Sequence, residues 1–558
     1  MATSVVSPLS NSEAPYSEHS GHPQRDYAFA ACLVTGLTVC ALGVLGYHPF
    51  AEDGGLYLAG VKRSLNPALY PHGSEFVMGH LRFSLFAPAM AALVRWSGMQ
   101  LETVMLLVYL ASTWATLMAG WMLASRCFAK RSERVGAVSL LAVWLTLPIA
   151  GTSLMLMDPY ITARSISTPC VLLALVGGLD FLLAVREGQR WQWGRLRAAS
   201  ALLVVAAAIH PLMAAYGLGC VLALGTTIPE RRRTRWVAVA GLCIAAISVA
   251  TVLQMIAQPE SAAYYRVAMS RSYWFLSQWK WYEVAGLAAP LAILATVAKR
   301  SRRDGDEAQL ALAQMGIVIG AISIIVATMF ARTGAANHLV ARLQPLRIFQ
   351  QVYIVMILFV GASLARWLGG RIWRWVAVYS LLAGIMFVVD RRTFPASGHL
   401  EFSAFSDEAE PVNAWEQAFR WIRTNTPVDA VFALDADYIT RPGEDAQGFR
   451  AIAERSVLPD YSKDGGEAAI TPALTAAWTS GQNAQSRLSE RSDAERMAVL
   501  LPEGVGWVVL EKNAATAFAC GYTNSAVKVC RLPRENSADG ISVSSRSSLA
   551  STPQPVKQ

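Results

Sequence analysis

Long apolar runs constrain this chain before any other feature does. Eleven lie within the first 390 residues, near 28–47, 103–125, 135–151, 169–185, 198–210, 212–228, 236–257, 283–298, 308–330, 352–368 and 374–390. A helix of about 20 apolar residues rises about 30 Å, the thickness of a bilayer's hydrocarbon core. The chain is 54% hydrophobic and 16% charged, with mean hydropathy +0.35, a balance that would leave a soluble domain with too much apolar surface. The expected fold class is an all-α polytopic membrane domain, residues 28–390, followed by a small extracytoplasmic α/β domain, residues 391–534. The first run is too long for a signal-peptide core and lacks a cleavage site, so it reads as a retained anchor. Residues 1–27 and 535–558 are polar and read as disordered tails, the first of them cytoplasmic.

Charge sets the orientation. With the N-terminus inside, the inner loops hold dense basic clusters: Arg126, Lys130, Arg131 and Arg134; Arg231, Arg232, Arg233 and Arg235; Lys299, Arg300, Arg302 and Arg303. The positive-inside rule asks for this pattern. It also requires both short runs flanking His210-Pro211, although 13 residues rise only about 20 Å. Leu81–Trp96, "LRFSLFAPAMAALVRW", is apolar enough to span, but a span there would invert every later loop. It reads as an interfacial or re-entrant helix on the outer face, with Arg82 and Arg95 at headgroup level. An odd number of spans then puts the C-terminal domain outside. The net charge of +9 serves orientation, and no nucleic-acid-binding motif accompanies it.

From about residue 391 the pattern changes. "VNAWEQAFRWIRTNTPVDAVFALDAD" reads as an amphipathic helix, an Asn-Thr-Pro turn and a buried strand. Gly504–Lys512 and Ala526–Leu532 read as further strands, with a helix near 488–500. No Gly-rich phosphate loop follows the first strand. "CGYTNSAVKVC" reads as a hairpin, and a Cys520–Cys530 disulfide is expected if the domain lies outside the cytoplasm.

Chemistry concentrates on the outer side. "GYHPFAEDGGLYLAGVKR" follows the first span and carries Glu52 and Asp53 beside Gly54-Gly55, which allow a tight turn and close backbone approach. Carboxylates at a membrane boundary are costly unless solvated or used. "MDPYITARSISTP" holds Asp158, Tyr160 and Arg164, either a structural ion pair or part of a site. "HLVARLQPLRIFQQ" holds Arg342 and Arg347, which either snorkel to headgroups or bind a lipid phosphate. His210 caps or packs a helix, or is a ligand. No histidine pair has a zinc-like spacing.

The architecture resembles the GT-C superfamily of integral-membrane glycosyltransferases. The likeness rests on an inside N-terminus, a long first outer loop (48–102) with an acidic pair directly after the first helix, and an interfacial helix in that loop. "WIRTNTPVDAVF" is also similar to the start of the external domain in many bacterial relatives. The resemblance implies inverting transfer of a sugar from a polyprenyl-phosphate donor at the outer face of the bacterial inner (plasma) membrane. Asp53 would be the general base on the acceptor hydroxyl. Glu52 would support it or hold a divalent metal, and cations would stabilise the leaving phosphate. Asp158, Tyr160, Arg164, His210, Arg342 and Arg347 are the expected substrate-binding residues. The partners are then membrane lipid and the lipid-linked sugar, without nucleic acid. The alternative is a non-catalytic membrane protein that binds or translocates a lipid-linked glycan. A transporter would show internal repeats, and none is evident.

Overall fold

The computed structural model describes residues 23–189, 193–229, 231–402 and 410–533. The expected tails lie outside these residues, except that the first helix, Pro23–Leu45, begins inside the stretch read as a tail. Pro23 at its start and Asp26 in its first turn both favour a helix N-terminus.

The protein is a multi-pass membrane protein. Among the described residues eight helices are long and apolar enough to cross a bilayer: Asp26–Leu45, Leu101–Cys127, Ala163–Arg186, Arg232–Ile256, Trp281–Asp304, Glu307–Phe330, Leu339–Leu368 and Ile372–Thr393. The other three expected spans are shorter helices. Arg131–Val143 has 13 residues and stops before Leu147-Pro148, where the chain turns back on itself through a bridge between Pro148 and Met155. Trp193–Ile209 and Pro211–Gly225 have 17 and 15 residues. They break at His210-Pro211 because proline has no N–H to continue the ladder.

Residues 74–97 form two helical limbs bent by 97°, Ser74–Phe83 and Phe86–Ser97. The bend is seated on the His210-Pro211 break. The Leu85 N–H donates to the Ala208 carbonyl at 2.8 Å, and the Ser84 hydroxyl donates to that of Ile209 at 2.5 Å. Two interrupted helices thus satisfy each other's free backbone groups.

The C-terminal region carries a five-stranded sheet in the order β2-β1-β3-β5-β4. Its strands are β1 (Val431–Ala433), β2 (Ser456–Val457), β3 (Trp507–Glu511), β4 (Ala519–Thr523) and β5 (Val527–Arg531). β1 runs parallel to β2 and β3, and the β3–β5–β4 edge is antiparallel. The amphipathic helix is Ala414–Asn425, with Trp415, Ala418, Phe419 and Ile422 buried at helical spacing. Asn413 caps it, accepting from the Trp415 and Glu416 amides. The helix expected near 488–500 occupies Asp493–Leu500. Cys520 and Cys530 face each other across β4 and β5 and are disulfide-bonded.

This domain does not stand off from the membrane half. Phe419, Phe432 and Phe449 share one apolar core with Tyr47, Phe50, Leu58 and Phe86 of the first loop. A backbone bridge between Ala51 and Gln447 runs alongside that core.

Candidate functional site

The site begins at the turn after the first helix. Gly46 takes φ +76°, and His48 is wholly buried between two carboxylates. Its Nε2 lies 3.0 Å from Asp390, and its Nδ1 lies 3.3 Å from Glu401. Burial opposes the imidazolium, but the two carboxylates outweigh it and raise His48 to about 9. The Glu52 amide donates to the Ala446 carbonyl at 2.8 Å, and Glu52 itself adopts a left-handed φ of +53°. Helix Glu52–Leu65 starts there, with both carboxylates in its first turn, where the helix dipole favours them.

Gly54 and Gly55 form no separate turn. They lie in that first helical turn, where the chain is pressed from two sides. A Cβ on Gly54 would sit 2.9 Å from the Tyr160 ring, and one on Gly55 would sit 3.0 Å from the Gly448 Cα. The glycines let the acidic pair approach both the 158–164 segment and the C-terminal domain.

Asp53 is held from two directions. Lys463 Nζ lies 3.1 Å from its Oδ1, and Arg164 Nη1 lies 3.4 Å from its Oδ2. Burial alone would raise the Asp53 carboxyl, but Lys463 and Arg164 outweigh it and hold it well below the usual carboxylate range. A third of the Asp53 side chain stays accessible. Lys463 also pairs with Glu52. Burial works against its charge, yet Asp53 and Glu52 hold the ammonium well above the usual lysine range. The other guanidinium nitrogen of Arg164 binds Asp158 at 2.5 Å. Arg164 stands at the start of Ala163–Arg186, fixed by a capping box in which Thr162 and Ser165 exchange bonds.

These groups line a cavity of about 820 Å³. That is ample for a sugar with its phosphate. Glu52, Asp53, Asp158, Tyr160, Arg164, His210, Arg342 and Arg347 are all part of its lining. All eight membrane-side residues singled out from the sequence therefore border one space. Their roles differ. His210 caps Pro211–Gly225, its Nδ1 accepting from the Met213 amide at 3.4 Å. Arg342 donates to the Ile470 carbonyl at 3.1 Å and lies over the Tyr264 ring. Arg347 projects from the turn Pro345–Ile348 and makes no side-chain hydrogen bond or ion pair among the described residues. Tyr216 steadies that turn by donating its hydroxyl to the carbonyls of Leu343 and Gln344. Cys520 and Cys530 lie away from the cavity, in the β4–β5 hairpin.

Part of the lining was not singled out from the sequence. Lys463, Gly466, Glu467 and Ile470 reach the cavity from the C-terminal domain. Arg271 and Tyr273 reach it from 262–283, an aromatic-rich outer loop that the sequence offers as either an interfacial aromatic belt or a platform for an acyl chain or a sugar ring, without singling out these two residues. One signal was available. "EDGG" at 52–55 recurs as "KDGG" at 463–466, with the opposite charge in first place. Leu56, Phe83, Leu154, Met155 and Leu212 contribute apolar lining to the cavity.

Among the described residues no group of three His, Cys, Asp or Glu side chains is arranged to hold a metal. Glu52 and Asp53 already share the Lys463 ammonium, so the donor set is thin for a divalent ion.

No family model and no curated protein matches the chain. Among solved structures it is similar to the Archaeoglobus fulgidus oligosaccharyltransferase in its complex with Zn and sulfate, with TM-score 0.39 and 13% identity over 86% of this chain and 68% of that one. The apo form aligns with TM-score 0.39 and 12% identity, over 87% of this chain and 69% of that one.

Proposed function

We propose that the protein is a membrane glycosyltransferase that moves a sugar from a polyprenyl-phosphate donor to an acceptor hydroxyl, at the outer face of a bacterial inner membrane. One observation carries the reading: a carboxylate pair and a guanidinium without a hydrogen bond or ion pair among the described residues border the same cavity, whose lining is also partly apolar. Asp53 takes the proton of the acceptor hydroxyl as its oxygen attacks the anomeric carbon. The bond from that carbon to the phosphate oxygen breaks, and the lipid phosphate leaves with the electron pair. Arg347 and Arg164 receive its charge. The apolar lining suits the first isoprene units. A phosphate arriving beside Arg164 shares that guanidinium with Asp53, which restores basicity to the carboxylate when it is needed.

The test is transfer of labelled sugar from a polyprenyl-phosphate donor in proteoliposomes. Asp53→Asn should lose about 10²–10⁴-fold in rate, the usual range for a general base. Its fold should survive, because Arg164 keeps Asp158 and Lys463 keeps Glu52. Glu52→Gln should be milder, and chelators should leave the rate unchanged. Unaltered turnover in Asp53→Asn would remove the catalytic role.

A second reading has a specific observation in its favour. Both Asp53 oxygens have cationic partners, which suits a carboxylate that orients arginines in a site that binds a lipid-linked glycan without cleaving it. Binding of the donor without turnover, equal in wild type and Asp53→Asn, would select it.

A further inference from the structure

We infer that Lys463 is a positioning residue for Asp53, so that the C-terminal domain completes the site. The inference rests on the glycosyl-transfer reading above. Lys463 stands 410 residues from Asp53 in sequence, yet its ammonium engages both members of the acidic pair. Only 19% of its side chain is exposed. An ammonium so enclosed and so engaged cannot also grip a donor phosphate without releasing the carboxylates. Arg347, by contrast, is free to do so.

The placement of Lys463 is held by the membrane half as firmly as by its own domain. It opens the helix Lys463–Ile470. At the start of that helix Arg271 donates to the carbonyls of Tyr461 and Ser462, at 2.7 and 2.8 Å. At the end, the Tyr264 hydroxyl donates to the Ala469 carbonyl at 2.6 Å, and Arg342 donates to that of Ile470. From within the domain, Asp460 accepts the Lys463 amide at 2.6 Å. Gly465 is needed for this fit, since a Cβ there would lie 2.6 Å from Arg271.

The chemical consequence follows from lone pairs. An ionised carboxylate has about four acceptor positions. Lys463 takes one on Oδ1 and Arg164 one on Oδ2, which fixes the plane of the group and leaves room for the acceptor's proton. Without Lys463 the carboxylate swings on Arg164 alone. A displacement of about 1 Å at a reacting group can cost about 10²-fold.

The experiment uses the full chain in proteoliposomes, with Lys463→Met and Lys463→Arg. Lys463→Met should lower kcat by about 10- to 100-fold while donor KM changes little. Lys463→Arg should recover part of kcat, because a guanidinium can still bridge the two carboxylates. A rise in donor KM at unchanged kcat would make Lys463 a phosphate ligand and overturn the inference. Equal losses in both variants with a lowered unfolding temperature would overturn it in favour of a purely structural contact. A double-mutant cycle of Lys463→Met with Asp53→Asn, read by thermal unfolding, needs no turnover. Non-additive effects support the pairing, and additive effects overturn it. If wild type transfers nothing but the cycle is non-additive, the proposed function fails while the pairing stands.

Discussion

Arg347 differs from the other lysine and arginine side chains of the cavity in having no hydrogen-bond or ion-pair partner among the described residues. A desolvated guanidinium without a counter-ion costs free energy, and that cost persists only where something else uses the charge. Arg347→Ala should therefore leave the unfolding temperature unchanged or slightly raised. It should weaken binding of a polyprenyl phosphate by about 10- to 100-fold, as expected for loss of a charge-assisted bond. Fluorescence titration with the lipid, beside a thermal melt, checks both halves. His48 gives the opposite case, a charge fully matched. Its pKa is raised to about 9 from an unfolded value of about 6.5. The stabilisation is therefore complete below about pH 6.5 and lost as pH rises towards 9, amounting to at most about 3 kcal/mol. His48→Gln should flatten the melting temperature across that window. Residues such as Asp53, Arg164 and Arg347 could be singled out from sequence because a charge beside an apolar run is conspicuous. Lys463 and Arg271 could not, since a lysine in a polar domain and an arginine in an aromatic loop look ordinary until the chain folds them together.

At the scale of elements, periodicity and turn chemistry carry far. Ala414–Asn425, β3 and the β4–β5 hairpin all appear where alternation and punctuation put them. The hairpin turn is an Asn device: the Asn524 side chain accepts from the Ala526 and Val527 amides. Its Cys520–Cys530 bond closes a loop of sequence separation 10 and should add about 2–3 kcal/mol. Mass spectrometry of protein purified without reductant should find no free thiol at either position, and Cys520→Ser with Cys530→Ser should lower the melting temperature of the domain. Apolarity alone misleads where backbone chemistry intervenes. The run at 135–151 reads as a span by composition, yet the helix ends at Val143. The segment beyond folds back, and Trp279 packs against Gly151 there. Composition also could not foretell that the bend at 84–85 would lock onto the break near 208–211, because that fit depends on tertiary placement of three backbone groups and the Ser84 hydroxyl.

At the scale of the whole molecule, the loops sort into two ends. Residues expected on the inner side meet one another: Arg131 with Asp26 at 2.5 Å, and Arg186 with Glu307. Residues of the expected outer loops meet around the cavity, together with the C-terminal domain. The expectation of eleven crossings adds three short helices to the eight long ones found among the described residues. Short helices are tolerable where neighbours cover their ends, because only lipid-facing backbone must be paired within its own helix. Which end faces the cytoplasm rests on charge. The end rich in arginine should stay inside, since carrying such clusters across a membrane is costly. A phosphatase reporter fused after Leu532 should then be active outside the cytoplasm, and a fluorescent protein fused there should stay dark. A reporter at the Arg231–Arg235 loop should give the reverse. If the fusion after Leu532 glows, the number of crossings is even, either because segment 74–97 crosses as a bent span or because only the eight long helices cross. The C-terminal domain would then be cytoplasmic, the Cys520–Cys530 bond would be out of place in a reducing compartment, and a lipid-linked donor would have to reach the cavity from the inner leaflet.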